Sequence, residues 1–185
     1  MNNTYHSCRN LTTAVCGNNV TNMFRTYNNC QNITTAVCGP NVINMADTYY
    51  NCQNITTAVC GPNVTNMSGT YTNCRNLTTA VCGNNVTDMS YTYYNCYNLT
   101  GSPVCGDKVT NMDSTYRNCS NLTGNPVCSN KVEDMRYAYW NCYNLTGNPV
   151  GGNNVTDMTN AYWNCSNLTG SPVCGNNVTG MANAY

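Results

Sequence analysis

The sequence predicts a repeat solenoid, a fold in which each repeat forms one coil that stacks on the coil before it. Three residue types recur together, at a step of 22 residues in the first half of the chain and 23 in the second. Every methionine belongs to the pattern: Met1, Met23, Met45, Met67, Met89, Met112, Met135, Met158 and Met181. Nine tyrosines, here called the ladder tyrosines, keep the same step: Tyr5, Tyr27, Tyr49, Tyr71, Tyr93, Tyr116, Tyr139, Tyr162 and Tyr185. So does a first cysteine column: Cys8, Cys30, Cys52, Cys74, Cys96, Cys119, Cys142 and Cys165. We therefore expect one solenoid of about eight coils across residues 1–185.

The coils come in two lengths, with 22 residues over residues 1–98 and 23 over residues 99–185. The longer coil contains a Gly-x-Pro insertion, first seen at residues 100–104 (Thr-Gly-Ser-Pro-Val). Because proline has no backbone donor, we expect a bulge or a strand edge there. No linker or polar capping coil is visible. We therefore expect an uncapped solenoid that belongs to a longer chain or stacks on other copies.

Within a coil, residues 11–16 (Leu-Thr-Thr-Ala-Val-Cys) predict a short strand, because turn-forming residues lie on both sides of them. Apolar steps of three and four, from Val20 to Met23 and on to Tyr27, predict a short helical or 3₁₀ segment on the opposite side. Stacked parallel strands lie about 4.8 Å apart, so identical side chains would align in columns along the solenoid.

Written as a motif, each coil is Cys-x-x-Leu, a short strand, Val-x-x-Met and then Thr-Tyr-x-x-Cys, with small variations. This order resembles the BspA-like leucine-rich repeat over the whole chain. Asn-Val-Thr-Asn-Met at residues 63–67 is also similar to repeats of mycoplasma-type surface lipoproteins. Ala14 and Cys16 depart from the aliphatic residues usual in the family, and Tyr replaces Phe. The resemblance implies a right-handed leucine-rich-repeat coil in secreted or surface-displayed proteins that act in adhesion.

A second cysteine column accounts for the other thiols: Cys16, Cys38, Cys60, Cys82, Cys105, Cys128 and Cys174, with Gly151 in the missing place. Strand side chains alternate, so either Val15 or Cys16 faces the core. The unbroken column of valines favours Val15 inside, whereas the family alignment favours Ala14 and Cys16 inside. We adopt the second arrangement, which exposes a valine stripe.

Both cysteine columns are interpreted as reduced core residues that pack as small apolar groups. Fifteen is an odd number, so at least one thiol has no partner. Stacked residues lie within disulfide range, but their parallel Cβ vectors suit the required dihedral angle poorly. Zinc-type Cys-x-x-Cys spacing is absent from the sequence. Disulfides and a metal site are therefore the less favoured alternatives, and we expect no cofactor.

Two polar columns accompany the core. The Asn10 column is predicted to face inward and to form a ladder of side-chain hydrogen bonds: Asn10, Asn32, Asn54, Asn76, Asn98, Asn121, Asn144 and Asn167. The Thr12 column is complete over eight coils: Thr12, Thr34, Thr56, Thr78, Thr100, Thr123, Thr146 and Thr169. A regular threonine array is typical of ice-binding solenoids, although β-branched residues also simply fill strands.

Charge and composition narrow the classes of function. Only 8% of residues are charged and the net charge is zero, which argues against nucleic-acid binding. No apolar run approaches the roughly 18 residues of a membrane span, so we expect no membrane insertion. The single histidine and the scattered acidic residues form no converging set of base, nucleophile and orienting group. We therefore expect a protein that is not an enzyme.

The candidate binding residues are those that break the repeat. The position after each ladder tyrosine and the position after each first-column cysteine both vary along the chain. In the second half they carry rings and a guanidinium that suit protein or sugar recognition: Tyr94, Tyr97, Arg117, Trp140, Tyr143 and Trp163. The alternative interpretation is that these rings only cover a ridge of the solenoid.

From these patterns we expect an extracellular or surface-displayed domain that recognises a protein or a glycan. The first alternative is a structural subunit whose uncapped coils join end to end into a filament. The second alternative is an ice-binding protein that uses the threonine column.

Overall fold

The computed structural model describes residues 1–170 and 173–185. Within these residues there is no α-helix, no 3₁₀-helix and no strand longer than a single bridged position. The backbone is held instead by isolated parallel bridges and by turns. The last Gly-x-Pro insertion includes residues 171 and 172, which lie outside the described residues.

Parallel bridges between successive coils fall into two sets, of which only the first connects every coil in its range to the next. The first runs through equivalent positions without a break: Asn22, Asn44, Asn66, Asp88, Asn111, Asp134, Asp157 and Gly180. The second lies in the predicted strand, at Thr13↔Thr35 and Thr57↔Thr79 and later at Val127↔Val150 and Val150↔Val173. The predicted parallel pairing is therefore present, but as single bridges and on two sides of the coil.

The helical or 3₁₀ segment predicted over residues 20–27 is wrong. Alternate backbone N–H groups from Met23 onward donate to carbonyls of the next coil, as in the 2.8 Å bond from Met23 to Asn44. Arg25 also has a φ of 53°, which a right-handed helix excludes. The three-and-four spacing arises because left-handed residues turn the chain back toward the core, so that apolar side chains return there without a helix.

Two left-handed residues flank each ladder tyrosine from Tyr5 to Tyr162, one two positions before it and one two positions after it. Three of the longer coils have a further left-handed residue in the Gly-x-Pro insertion, at Gly101, Gly124 and Gly147. After the tyrosine the residue is Ser7 in the first coil and asparagine in the others: Asn29, Asn51, Asn73, Asn95, Asn118, Asn141 and Asn164. Asparagine tolerates this conformation better than most residues. The recurring Asn-Cys pair is therefore where the chain reverses before each buried cysteine.

The ladder tyrosines form a continuous stack of rings along the core. Successive rings stack with centroids 5.3–5.8 Å apart and planes within 14° of parallel. From Tyr27 to Tyr116 each phenol also forms hydrogen bonds with the backbone of the valine twelve residues earlier. The Tyr71 hydroxyl donates to the Val59 carbonyl at 2.8 Å and accepts from the Val59 N–H at 2.8 Å. A phenylalanine could not make these bonds, which explains why Tyr replaces Phe in the coils that contain the clamp.

This tyrosine–valine clamp is retained in the first of the longer coils, between Tyr116 and Val104, and is absent from the coils after it. The Val150 N–H donates to the Pro126 carbonyl at 3.2 Å, and Val150 forms bridges to the coils on both sides. The valine backbone is therefore engaged by neighbouring coils. The hydroxyls of Tyr139 and Tyr162 are buried and have no hydrogen-bond partner among the described residues.

The first cysteine column is buried from Cys30 to Cys165, and Cys8 is exposed. Each buried thiol donates to the carbonyl of a ladder tyrosine, as from Cys74 to Tyr49 at 3.1 Å. Burial raises the pKa of these thiols, to about 12 for Cys52. The column therefore packs as a set of neutral donors, and all fifteen cysteines are free thiols.

The arrangement adopted for the second cysteine column holds in the first coil, where Ala14 is 8% exposed and Val15 is 58% exposed. In the central coils the valines and the second-column cysteines are both half-buried against the core, so the valine stripe is only partly exposed. Cys16 is half-buried and its thiol lies 3.6 Å from the sulfur of Met23. Cys128 is buried, whereas Cys174 is exposed.

The inward position predicted for the Asn10 column is wrong. All eight residues are exposed, and the amide contacts between them are long, at 3.4–3.5 Å: Asn54 to Asn32, Asn76 to Asn54, and Asn167 to Asn144. The strong amide bonds lie among the left-handed asparagines, here called the asparagine ladder. Its bonds measure 2.7–3.1 Å: Asn51 to Asn29, Asn95 to Asn73, Asn118 to Asn95, Asn141 to Asn118, and Asn164 to Asn141.

Candidate functional site

The asparagine ladder separates the two columns that carry the predicted binding residues. In the sequence Tyr94-Asn95-Cys96-Tyr97, Asn95 is left-handed with a φ of 62° and Cys96 is buried. The chain reverses at Asn95, so Tyr94 and Tyr97 emerge on opposite sides of the ladder. The same geometry repeats in the following coils, and two rows of variable side chains flank a row of amides.

On one side, Arg117 is surrounded by aromatic rings. Its Cζ lies 5.6 Å from the ring centroid of Tyr94, 5.0 Å from Tyr137 and 4.9 Å from Trp140. These distances lie within the roughly 6 Å range of cation–π attraction. Arg117 therefore connects rings from successive coils.

Further rings extend this group into a continuous surface. Tyr91 packs against Tyr94 with centroids 5.9 Å apart, and Trp140 packs against Trp163 at 6.1 Å. Tyr137 lies 5.3 Å from Trp140. We call this surface the arginine–aromatic cluster, and its members are Tyr91, Tyr94, Arg117, Tyr137, Trp140 and Trp163.

The charge of Arg117 is not balanced within the part of the chain that the structure describes. Arg117 forms no ion pair there, and its Nε is buried without a hydrogen-bond partner. Two acidic residues pair instead with Arg136, whose Nη2 lies 2.6 Å from the Oδ2 of Asp134 and 3.7 Å from the Oδ2 of Asp113. The cluster thus presents a cation held among rings.

Backbone strain accompanies two of the rings. Tyr91 and Tyr137 both have a φ of 55°, in the left-handed region that bulky residues rarely adopt. Most equivalent coil positions carry Asn, Asp, Ser or Gly, and Arg25 is the other bulky residue there. Such strain costs about 1–3 kcal/mol per residue and concentrates at functional sites. The fold alone would favour a small residue at both positions.

On the other side of the ladder, Tyr97 and Tyr143 line a slot over Ser120. The slot has a volume of about 340 Å³, and Asn118 and Asn141 complete its lining. Both tyrosines are exposed, at 38% and 42%. The small side chain of Ser120 lies in the coil between them, and this difference in size creates the slot.

The structure therefore divides the predicted residues into two groups. Tyr94, Arg117, Trp140 and Trp163 come together as one line, whereas Tyr97 and Tyr143 lie across the asparagine ladder. Sequence reasoning missed Tyr91 and Tyr137, and also the polar lining of the slot. The signal for the two tyrosines was available, because each is a bulky residue at a position that usually holds a small polar one.

Other kinds of site find no support in the described residues. No group of three or more His, Cys, Asp or Glu side chains there is arranged to hold a metal ion. None of these residues forms a helix that is long and apolar enough to cross a membrane. The Nδ1 of His6 lies 2.9 Å from the hydroxyl oxygen of Ser7, which is its one side-chain hydrogen bond among the described residues.

The repeat was also compared with known proteins. A family model described as the BspA type leucine rich repeat region (6 copies) matches residues 1–100 and 47–169. No curated protein and no solved structure matches the chain. The matched residues cover most of the chain, and the coils described above have the stacking that a repeat solenoid requires. This chain belongs to the BspA-type leucine-rich repeat family.

Proposed function

We propose that this chain is a non-enzymatic recognition domain, displayed outside the cell, that adheres to a protein or a glycan through the arginine–aromatic cluster. Repeats of the BspA type are commonly surface adhesion or recognition repeats and are generally non-enzymatic. The observation that carries the proposal for this chain is Arg117, a cation held among rings without a counter-ion in the described residues.

The composition of the cluster supports binding rather than structure alone. Tyr, Trp and Arg are the residues that most often dominate the energy of recognition surfaces. Tyr91 and Trp163 are exposed, and Tyr91 occupies a strained backbone position. Exposed rings at strained positions lower the stability of a solenoid, so their presence is best explained by a ligand.

The thiols are compatible with an oxidising environment. Most thiols of the first column are buried, and burial raises their pKa and keeps them neutral. The thiolate is the reactive form, so neutral buried thiols are inert. A surface location therefore requires no disulfide in this column.

The proposal is tested on arrays of host proteins and of glycans. We expect Trp140→Ala and Trp163→Ala to weaken binding at least tenfold, because truncating a central aromatic residue typically costs about 2 kcal/mol. Tyr50→Ala is the matched control, since Tyr50 occupies the same variable column outside the cluster. Equal binding by all three variants and the unmodified protein would show that the cluster is not the site.

Ice binding is a second candidate, favoured by one observation. All eight residues of the Thr12 column are exposed, so a row of threonines runs along the solenoid. An ice-recrystallisation assay tests it, and unaltered crystal growth excludes it.

Assembly into end-to-end filaments stays a prediction from the sequence. Sedimentation at rising protein concentration tests it, and a monomer at every concentration argues against it.

A further inference from the structure

The slot between Tyr97 and Tyr143 is a separate site on the same surface. Between the two aromatic rings its lining is polar, and consists of the side chains of Asn118, Asn141 and Ser120. Arg75 belongs to the coil before Tyr97, and its Cζ lies 5.9 Å from the centroid of the Tyr97 ring. Ser120 comes from the coil after Tyr97, so the guanidinium covers the face of Tyr97 that points away from the slot and holds the ring in place.

The width of the slot selects the thickness of its ligand. Ladder rings of the same coils are spaced 5.4 Å from Tyr93 to Tyr116 and 5.6 Å from Tyr116 to Tyr139. Equivalent coil positions two coils apart, such as those from which Tyr97 and Tyr143 project, are therefore separated by about 10–11 Å. A flat ring that touches both walls needs only about 7–8 Å, from two contacts of 3.5–4.0 Å. The slot is thus too wide for a flat ring and suits a puckered ring with hydrogens on both faces.

The amides offer a matching pattern of hydrogen bonds. Asn118 uses one N–H on Asn95, at 2.7 Å, and one lone pair on Asn141, at 2.8 Å. Asn141 uses one N–H in the same way and accepts from Asn164 at 3.1 Å. Among the described residues, each amide therefore keeps one free donor and one free acceptor. Neighbouring hydroxyls of a sugar present the same alternation of donors and acceptors.

We propose that this slot binds one pyranose ring of a glycan, with its two faces against Tyr97 and Tyr143. Its hydroxyls meet the amides of Asn118 and Asn141 and the hydroxyl of Ser120. This inference rests on the proposed recognition function and specifies its ligand as a carbohydrate. The arginine–aromatic cluster across the asparagine ladder contacts the neighbouring sugar units of the same glycan.

The test uses the methyl glycosides of glucose, galactose, mannose and N-acetylglucosamine, with saturation-transfer NMR and a titration of chemical shifts. We expect at least one glycoside to bind. Ser120→Tyr, which fills the slot, is expected to weaken that binding at least tenfold, and Tyr143→Ala to do the same by removing one wall. Gln31→Tyr is the matched control, because it adds a tyrosine in the same column far from the slot.

The outcomes separate this inference from the proposed function. Array binding that is weakened by Trp163→Ala but not by Ser120→Tyr or Tyr143→Ala overturns the pyranose slot and leaves the recognition function standing. Phenol is tested in the same way as a flat ring. If phenol binds, loses its binding in Ser120→Tyr, and no glycoside binds, the occupant is a flat aromatic ring and the pyranose assignment is overturned. If no protein or glycan on either array is bound, both proposals fail. Near-UV circular dichroism of each variant verifies that the tyrosine stack is intact.

Discussion

The clamp between the ladder tyrosines and the valine backbone predicts a sharp contrast between two identical substitutions. Tyr71→Phe retains the stacked ring but removes the hydroxyl that both donates to and accepts from Val59, each at 2.8 Å. Each such bond contributes about 1 kcal/mol net. Val59 is half-buried, so water can reach its freed backbone groups in part. We therefore expect Tyr71→Phe to lower the free energy of unfolding by about 2 kcal/mol.

Tyr139→Phe is the matched control in the same column. The Tyr139 hydroxyl is buried and has no partner among the described residues. Removing it breaks no hydrogen bond and relieves the desolvation of a polar group, which costs about 1–3 kcal/mol when unpaired. We expect this variant to be as stable as the unmodified protein or more stable.

Differential scanning calorimetry measures both effects under one set of conditions. For a chain of this size, 1 kcal/mol shifts the Tm by about 2–4 °C, so Tyr71→Phe should lower the Tm by about 4–8 °C. Tyr139→Phe should leave the Tm unchanged or raise it. A loss of equal size in both variants would refute the clamp, because it would show that the ring environment rather than the hydroxyl determines stability.

Three further predictions concern the asparagine ladder, the thiols and alkaline pH. Asn95→Ala loses the amide bonds to its two neighbours and places Ala in a left-handed conformation, so it should lower the free energy of unfolding in urea by about 2–4 kcal/mol. The control, Asn98→Ala, lies at an exposed position and should change this free energy by no more than about 0.5 kcal/mol. Equal losses in the two variants would contradict the ladder assignment. In titration with a thiol reagent, Cys8 and Cys174 should react fastest and the buried column only after unfolding; fast reaction of every thiol in the native protein would show that the column is accessible. Burial raises the pKa of Cys52 from 9.0 to about 12 and the pKa of the buried ladder tyrosines well above 10.0, so between pH 9 and 12 the unfolded chain releases protons that the folded chain keeps. The contribution of these neutral buried groups to the free energy of unfolding is therefore complete below about pH 9 and is lost as the pH rises toward 12. Urea unfolding at pH 7 to 11 measures this free energy. A free energy that does not change over this pH range would contradict the burial of these groups.

Periodicity was sufficient to predict the core columns. Met, Tyr and Cys recur at one step, and a side chain that must stack on its own copy has to repeat at the length of the coil. That result depends only on which residues are alike from coil to coil. The outward Val15 was predicted instead from the resemblance to the family, because the unbroken valine column by itself favoured Val15 inside.

Periodicity could not decide the direction in which a repeated side chain points. Two asparagine columns repeat with the same step, and only the backbone conformation separates the exposed Asn10 column from the ladder that begins at Asn29. The predicted helix failed for the same reason. A spacing of three and four arises from a helix or from a left-handed turn, and the asparagine before each cysteine was the clue to the second.

The candidate site was predicted in part because it lies where the repeat is broken. Variation identified Arg117 and Trp140, which do meet, with the guanidinium 4.9 Å from the ring. The contribution of Tyr137 was missed because its position holds a small polar residue or glycine in most coils, and because its contact with Trp140, three residues away, depends on its own left-handed backbone. The slot over Ser120 was missed because it depends on a small residue, which carries no signal by itself.

The superposition of equivalent residues in successive coils is the claim on which the fold, the clamp and both binding proposals depend. Nuclear Overhauser contacts between selectively labelled tyrosine rings test it most directly. Tyr71 should show ring contacts with Tyr49 and Tyr93, at centroid distances of 5.7 and 5.8 Å, and none with ladder tyrosines two coils away. Contacts that skip a coil, or a Tyr71 ring that contacts neither neighbour, would contradict the stacked arrangement.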